Sequence, residues 1–310
     1  MQIFLSIIPV FLVSLFGYMI ASSGKLNKND IQSLSKFTFS FAIPVMLFFK
    51  MATLDIPKNI EWSLLLSYYL AVLCVFVVMT CLMKYFFSED PEEQSIGGFS
   101  STFSNAVVVG IPVVDQTLGH QAMLPLLMLI SIHALTLYSM GFIFAERDKF
   151  EATRILTSVA NIFTEMVKNP ITLSIFSGLV INSLSIDLPA VIASSLELMA
   201  GAAIPLTLFA LGASIHQFSL SLKNRLPIIV VVMKNLVLPA LVYIFSFHIF
   251  NISSLWATTA VIMAAMPVGV NAYIFSQRYQ KCIPDVAGAI LLSTLTSIFT
   301  VTAILTIINK

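Results

Sequence analysis

Apolar residues fill long stretches of this chain, and short polar segments separate them. A helix needs about 20 apolar residues to cross a bilayer. The first apolar run has this length and no Lys or Arg before it, which predicts a retained span rather than a cleaved leader. We predict spanning helices at 3–22, 31–52, 62–85, 97–120, 122–145, 168–185, 189–214, 226–250, 254–279 and 284–308, ten in all.

The composition excludes an ordinary soluble domain. Of the 310 residues, 58% are hydrophobic and 10% are charged, and the mean hydropathy is +0.96. A soluble domain carries about 25% charged residues, so we predict an all-α polytopic membrane protein. The net charge of +1 gives no electrostatic reason to expect nucleic acid. The three cysteines lack the spacing of a metal site, and we expect neither a metal nor a cofactor.

The distribution of positive charge predicts the orientation, because cytoplasmic loops carry an excess of Lys and Arg. With the N-terminus outside, eleven of the sixteen Lys and Arg residues fall in cytoplasmic loops and three fall in outer ones. The longest polar segment, which carries Arg147, Lys149 and Arg154, then faces the cytoplasm. We expect both termini outside.

The two halves of the chain resemble each other. Segments 42–48 and 203–209 share Ala-Ile-Pro and Leu-Phe at equivalent positions, and Pro112 in span four corresponds to Pro267 in span nine. Each half has five spans, and an odd number inserts the second half upside down. This pattern predicts an inverted repeat, with sites near the membrane midplane at the repeat interface; chance similarity between apolar segments is the alternative. The predicted units are repeat 1–146, cytoplasmic linker 147–167 and inverted repeat 168–310.

Pro112 and Pro267 each lie inside an apolar stretch long enough to span the membrane. Proline lacks an N–H and clashes with the preceding turn, so we predict that each breaks its helix into two half-helices. Irregular backbone inside a bilayer is tolerated where it lines a cavity, and paired broken spans are typical of transporter binding sites. We expect the breaks to cross near the midplane.

The residues beside the breaks favour an anion. A half-helix that begins after its proline presents unpaired N–H groups and a positive dipole end, which together form an anion site. Gly110 and Gly269 remove side-chain bulk, and Asn105 and Asn271 supply neutral donors and acceptors. The alternative is a proline kink in which each Asn binds the freed backbone.

These motifs resemble those of a known family. Segment 104–113, Ser-Asn-Ala-Val-Val-Val-Gly-Ile-Pro-Val, is similar to the fourth-span motif of the auxin efflux carrier family. Segment 266–279, Met-Pro-Val-Gly-Val-Asn-Ala-Tyr-Ile-Phe-Ser-Gln-Arg-Tyr, resembles the ninth-span motif of its bacterial branch. The two Ala-Ile-Pro segments match the second and seventh spans. The similarity runs through nearly the whole chain in order.

The resemblance implies ten spans, a proline crossover and carriage of small organic anions, as in plant auxin exporters and bacterial malonate or malate permeases. The short central linker and Asn271 depart from the plant carriers and favour the bacterial type, and hence a bacterial cytoplasmic membrane. By motif position, the implied substrate-site residues are Asn105, Gly110, Pro112, Pro267 and Asn271, to which the pattern above adds Gly269.

Five ionisable residues inside predicted spans are candidates for coupling or gating, because such residues are costly in a membrane. Asp115 is expected in the first turn of a half-helix, where it either offsets the helix dipole or carries a coupling proton or cation. Lys36 and Glu197 either snorkel to the interface or act as separate gate residues. Lys234 either attracts an anionic substrate or snorkels, and His133 either hydrogen-bonds between helices or relays protons.

Three functional classes remain to be weighed. We expect a secondary transporter that moves small mono- or dicarboxylates through the bilayer by alternating access, with proton or sodium coupling and a homodimer both open. An intramembrane enzyme is the second class, but the chain has no HExxH or GxSxG motif. A receptor or structural membrane protein is the third, and it would not need two broken spans. The chain also lacks the GxxxxGK[ST] motif of an ATP-driven pump.

Overall fold

The structure, a computed structural model, describes residues 2–56, 59–149, 164, 168–217 and 225–308. These residues form helices and one isolated β-bridge, without a strand. Most of the predicted linker, including Arg154, lies outside the described residues. In chain order the helices are α1 Gln2–Ser22, α2 Lys28–Ala52, α3 Ser63–Phe86, α4 Pro91–Ser100, α5 Ala106–Leu118, α6 His120–Ala145, α7 Pro170–Ser183, α8 Ala190–Ile215, α9 Leu226–Ile249, α10 Ser254–Ala265, α11 Val270–Tyr279 and α12 Ile283–Ile308.

Six helices of the described chain are long and apolar enough to cross a membrane, namely α2, α3, α6, α8, α9 and α12. Their ends lie within about three residues of the corresponding predicted spans, because a continuous apolar stretch determines where a spanning helix begins and ends. Predicted spans four and nine are each divided into two helices, α4 with α5 and α10 with α11. The all-helical architecture is that of a polytopic membrane protein.

The helices pack as two bodies. Helix α1 lies along α8, and α2 lies along both α7 and α8; we call these four helices the scaffold. Glycines allow the close approach, since a Cβ at Gly212 would lie 1.7 Å from the carbonyl oxygen of Ser14, and one at Gly17 would lie 2.0 Å from that of Phe209. Helices α3–α6 and α9–α12 form the second body, which meets the scaffold mainly where α1 contacts α5 and α12.

Wide helical turns precede three of the prolines in apolar helices. Each is a five-residue π-helical turn that ends two residues before a proline: Thr38–Ala42 before Pro44, Ala106–Gly110 before Pro112, and Met233–Val237 before Pro239. A π turn is closed by i→i+5 hydrogen bonds, so it accommodates a residue that has no N–H and needs room for its ring. The helix therefore continues through each of these prolines.

Candidate functional site

The two interruptions cross each other and are joined through their backbones. Helix α4 ends at Ser100, and the N–H of Asn105, just before α5, donates to the carbonyl oxygen of Pro267 at 2.9 Å. In return, the N–H of Gly269, just before α11, donates to the carbonyl oxygen of Phe103 at 2.8 Å. These bonds form a short antiparallel bridge around Ser104 and Val268. We call residues 101–105 and 266–269 the crossover.

The position of the first break differs from the prediction. Pro267 lies within its break, as expected, but Pro112 lies inside helix α5, seven residues after Asn105. The prediction that Pro112 itself divides span four is therefore wrong. The wide turn Ala106–Gly110 carries the helix through the proline, and the chain is irregular at residues 101–105 instead.

Gly110 and Gly269, the two glycines of the predicted site, each face the other broken span at the crossover. A Cβ at Gly269 would lie 2.7 Å from the ring of Phe103 and 3.3 Å from the carbonyl oxygen of Ser104. A Cβ at Gly110 would lie 3.3 Å from the side chain of Met266. Contacts below 3.4 Å require the neighbouring atoms to move, so a side chain at either position would displace Met266 or Phe103.

Two side chains, one from the last helix of each half, accept hydrogen bonds from the centre of the bridge. The N–H of Ser104 donates to Nε2 of His133 at 3.1 Å, and the N–H of Val268 donates to Oγ of Ser293 at 3.0 Å. Because Nε2 of His133 accepts a hydrogen bond, its ring is the neutral form with the proton on Nδ1. This hydrogen bond joins α6 to the irregular segment between α4 and α5.

Lys234 is fully buried, and its amino group lies at the end of α10. Nζ donates to the carbonyl oxygens of Ala264 and Met266, the latter at 2.7 Å. These carbonyls belong to the last turn of a helix, where the backbone has no N–H partners and the dipole end is negative. Of the two roles predicted for Lys234, snorkelling to the interface is wrong, because the helix end supplies the partners that water would otherwise provide.

Helix α3 contacts both the crossover and α6. The hydroxyl of Tyr68 lies 3.4 Å from Oγ of Ser104, and the hydroxyl of Tyr69 donates to the carbonyl oxygen of Leu129 at 2.7 Å. In the second half, Asn235 follows Lys234 and donates to the carbonyl oxygen of Ser293 at 3.0 Å. Neither tyrosine was singled out from the sequence, because Tyr68 has no local motif and its role depends on where span four is interrupted.

The helix starts beside the crossover carry unused donors. In the part of the chain that the structure describes, the backbone N–H groups of Ala106, Val107 and Val108 have no hydrogen-bond acceptor, nor have those of Val270 and Asn271. The bridge N–H groups are already satisfied within the protein, so these first-turn groups are the ones available to a ligand. They belong to two helices whose positive dipole ends lie at the crossover.

A cavity of about 600 Å³ opens between the scaffold and helix α11. Neutral polar and positively ionisable side chains line much of it, and none of its lining residues is acidic. The lining consists of Ala21, Leu26, Lys28, Ile31, Gln32, His216, Gln217, Tyr273 and Gln277. Asn271 is half-buried one helical turn or less from Tyr273, whereas Asn105 is buried in the crossover. The cavity therefore reaches α11 at Tyr273, two residues after Asn271, and none of the crossover residues lines it.

Asp115 has a different environment from the one predicted. It lies beyond the first turn of its helix and forms an ion pair with Lys50 at 3.0 Å. The expectation that Asp115 offsets the positive end of a helix is wrong, because α5 begins at Ala106 rather than after Pro112. Lys36 and Glu197 are exposed on the scaffold, and neither forms an ion pair with another described residue.

A charged cluster at the opposite end of α4 joins the two halves. Lys281, in the turn between α11 and α12, forms ion pairs with Asp90 and with Glu92, the latter at 2.8 Å. Asp90 also caps α4 by accepting from the N–H of Glu92 at 2.8 Å. Burial opposes ionisation of Asp90, but the hydrogen bonds from Lys281 and the Glu92 N–H outweigh it and lower the pKa of Asp90. The hydrogen bonds to Asp90 and Glu92 raise the pKa of Lys281.

Aromatic rings pack the half-helices α4 and α11 together. The rings of Phe99 in α4 and Phe275 in α11 are stacked 4.3 Å apart at an angle of 5°. Phe99 also stacks on Phe103 at 5.0 Å, and the ring of Phe103 meets that of His133 at 4.9 Å. This stack connects α11 with α6 and fixes the crossover within the second body.

The structure combines two broken helices that cross, buried polar contacts at the crossing and long apolar spans. These features are typical of a membrane transport protein. Comparison with known families agrees, since a family described as "Membrane transport protein" matches residues 2–305. The chain belongs to this family, the auxin efflux carrier family that its motifs resemble. It is an integral membrane protein and a transporter, and the alternative of an intramembrane enzyme is excluded by the family.

Similar proteins come from bacteria, plants and archaea. A protein of Rhizobium meliloti (strain 1021) whose name proposes it as a malonate transporter is 22% identical over 307 residues, covering 98% of this chain and 95% of its own. Auxin efflux carrier component 8 of Arabidopsis thaliana is 22% identical, with 88% of each chain covered. An uncharacterized transporter of Methanocaldococcus jannaschii is 24% identical, with 95% of each chain covered.

Proposed function

We propose that this protein is a secondary transporter that moves small organic carboxylates across the membrane by alternating access. The observation that carries the proposal is the set of unused N–H groups at the starts of α5 and α11. A cavity without acidic lining reaches α11 at Tyr273, in the turn after these groups. Two positive helix ends and neutral amides suit a carboxylate, since charge-assisted hydrogen bonds from backbone N–H groups replace its water. A relative whose name proposes malonate transport supports this substrate class.

We further propose that the chain consists of two inverted five-helix repeats whose crossover lies near the membrane midplane. Equivalent contacts in the two halves support this architecture. His133 and Ser293 accept from Ser104 and Val268, respectively, and Tyr68 of α3 and Lys234 of α9 each contact the crossover. In such repeats the substrate site lies where the two halves meet.

The proposed substrate site combines the crossover with the adjoining end of the cavity. Asn105, Gly110, Pro112, Pro267 and Gly269 shape the crossover, and Asn271 provides an amide in the first turn of α11. The second body carries these residues, while the scaffold supplies the opposite cavity wall. Movement of the second body past the scaffold would expose the site alternately on the two sides of the membrane, because few contacts join the two bodies.

The proposed orientation places both termini outside and opens the cavity to the cytoplasm, in a bacterial cytoplasmic membrane. The excess of Lys and Arg in one set of loops supports this assignment. Lys28, at the start of α2, and Lys281, in the turn before α12, then lie on the cytoplasmic side. Asp115 is already paired with Lys50, so the proposal assigns it no coupling ion.

Substrate binding by purified protein tests the proposal. We expect malonate and related mono- and dicarboxylates to raise the thermal unfolding temperature, since a ligand that binds only the folded state stabilises it. Asn271→Ala and Asn105→Ala should each weaken binding by roughly 10- to 150-fold, the value of a lost hydrogen bond to a charged group. Gln116→Ala, an exposed amide on α5, is the matched control. The proposal would be overturned if the folded protein bound no carboxylate, or if both Asn variants kept the wild-type affinity.

A further inference from the structure

The two half-helices that end at the crossover have different partners at their C-terminal ends. At the end of α10, the amino group of Lys234 binds the carbonyl oxygens of Ala264 and Met266. A helix end has carbonyl groups without intrahelical partners and a negative dipole, so it favours a positive charge. Lys234 is therefore a built-in cation at the end of α10.

The β-bridge shows which carbonyl oxygens at the end of α4 are equivalent to those that bind Lys234. Its reciprocal hydrogen bonds match Phe103 with Pro267 and Asn105 with Gly269. The same difference in residue number matches Ser100 with Ala264 and Thr102 with Met266. The carbonyl oxygens of Ser100 and Thr102 are thus the counterparts of the pair that holds Lys234, and no donor among the described residues binds them.

No charged side chain of α3 reaches the end of α4 among the described residues. Tyr68 is the α3 residue that contacts the crossover, with its hydroxyl 3.4 Å from Oγ of Ser104, the residue that the bridge pairs with Val268. Helix α4 therefore ends at the crossover with its carbonyl groups facing no cation from the described chain. The negative dipole end that Lys234 neutralises on α10 remains without a counter-charge on α4.

Two orphaned hydroxyl groups lie at the same helix end. Ser100 and Ser101 are fully buried, and the Oγ atom of each has no hydrogen-bond partner. A buried hydroxyl without a partner costs about 1–3 kcal/mol, and buried polar groups are nearly always satisfied by protein, water or an ion. Unpaired hydroxyl and carbonyl oxygens in one buried helix end are ligands for a hard cation.

We propose that the end of α4 binds a small monovalent cation, Na⁺, held by the carbonyl oxygens of Ser100 and Thr102 and by the hydroxyls of Ser100 and Ser101. Carbonyls at the ends of broken helices are recurrent ligands for Na⁺ in transporters. The ligands are all neutral, and a divalent ion would need carboxylates to balance its charge. The bound Na⁺ does for α4 what Lys234 does for α10, and it thereby completes the symmetry of the crossover. This inference rests on the proposed inverted repeat but not on the identity of the substrate.

The first test measures Na⁺ binding to the full-length protein in detergent without any carboxylate. Thermal unfolding is followed in NaCl and in choline chloride at equal ionic strength, because choline is too large for a buried site. We expect a saturable rise in the unfolding temperature with Na⁺. Ser101→Ala and Ser100→Ala should each shift the half-saturating Na⁺ concentration upward by at least tenfold, whereas Ser195→Ala, an exposed serine on α8, should leave it unchanged.

A second variant uses the other half of the molecule as its guide. Tyr68→Lys places an amino group beside the crossover in the first half, as Lys234 does in the second, and we expect it to abolish the response to Na⁺ while the protein stays folded in choline. Equal unfolding temperatures in NaCl and choline chloride for the wild type, or an unchanged Na⁺ response in both serine variants, would overturn the proposal. Since no substrate is present, a failure to bind carboxylates leaves these outcomes unaffected, and the two proposals fail separately.

Discussion

The amino group of Lys50 lies 3.0 Å from a carboxylate oxygen of Asp115 and joins the scaffold to the second body. Lys50 is in the last turn of α2, whereas Lys28 at the start of the same helix lines the cavity. At a rise of about 1.5 Å per residue, the two lysines are about 33 Å apart. The ion pair therefore closes the interface between the two bodies at the end opposite the open cavity.

Replacement of Asp115 should favour opening at the closed end. Asp115→Asn removes a partly exposed ion pair worth up to about 1 kcal/mol, which corresponds to roughly a two- to fivefold change in the ratio of the two states. With Gln32→Cys in a background without other cysteines, we expect the cavity thiol to react more slowly with maleimide in the variant. Asp115→Glu is the control that keeps the charge. Faster labelling in the Asn variant would contradict this role.

The same variant tests coupling at Asp115. Because Asp115 is paired with Lys50, we expect Asp115→Asn to retain accumulation of substrate driven by a pH gradient in reconstituted vesicles. Complete loss of gradient-driven uptake with intact exchange between equal pools would instead assign the driving proton to Asp115.

Lys234 should be essential for the shape of the crossover. Lys234→Met keeps much of the side-chain volume but removes the donors to Ala264 and Met266. Two buried carbonyls then lose their partner, which should lower the free energy of unfolding by about 1–3 kcal/mol and greatly reduce transport. Thermal unfolding and substrate counterflow measure the two effects, and Lys36→Met, at an exposed lysine, is the control. Normal counterflow in Lys234→Met would show that the crossover does not depend on this contact.

The sequence predicts the long spans well and the interior of the broken spans less well. Helices such as α3 and α9 follow directly from uninterrupted apolar stretches. The break in span four was assigned to Pro112 because proline is the strongest local helix breaker, yet a π turn lets the helix pass through it. The actual break depends on contacts from Pro267 and His133, which are distant in sequence. Local pattern alone does not contain this information.

His133 and Ser293 offer a matched pair of substitutions. His133→Leu leaves the N–H of Ser104 without an acceptor, and Ser293→Ala does the same for Val268. Each should lower the free energy of unfolding by about 1–3 kcal/mol, the cost of an unsatisfied buried donor. His133→Gln, which restores a neutral acceptor, should recover part of the loss. Denaturation of the three variants measures this, and equal stability of the Leu and Gln variants would argue against the hydrogen bond.

The orientation can be tested with single cysteines at positions 150 and 310. We expect a membrane-impermeant maleimide added to intact cells to label position 310 and to leave position 150 protected, because the loop charges place the central segment in the cytoplasm. Permeabilised cells provide the control for reactivity of both thiols. Labelling of position 150 alone from outside would reverse the proposed topology.

The ion pairs of Lys281 should stabilise the protein over a defined pH range. The pKa of Asp90 is lowered from 3.8, so its contribution is present above that value and is lost as pH falls through the folded-state pKa. The pKa of Lys281 is raised from 10.5, so its contribution is complete below that value and is lost as pH rises through the folded-state pKa. Both contributions are therefore complete near pH 7.

Lys281→Met should accordingly destabilise the protein most near neutral pH, by less than about 1 kcal/mol per pair because the groups are partly exposed. The difference in unfolding temperature between wild type and variant should shrink as the pH falls below 3.8, since Asp90 is then protonated in the unfolded chain and folding must release that proton. The control Lys84→Met changes an exposed lysine in the last turn of α3, and it should show no such pH dependence. Thermal unfolding between pH 3 and pH 8 measures the difference, and a constant difference across this range would rule out the ion pairs as its cause.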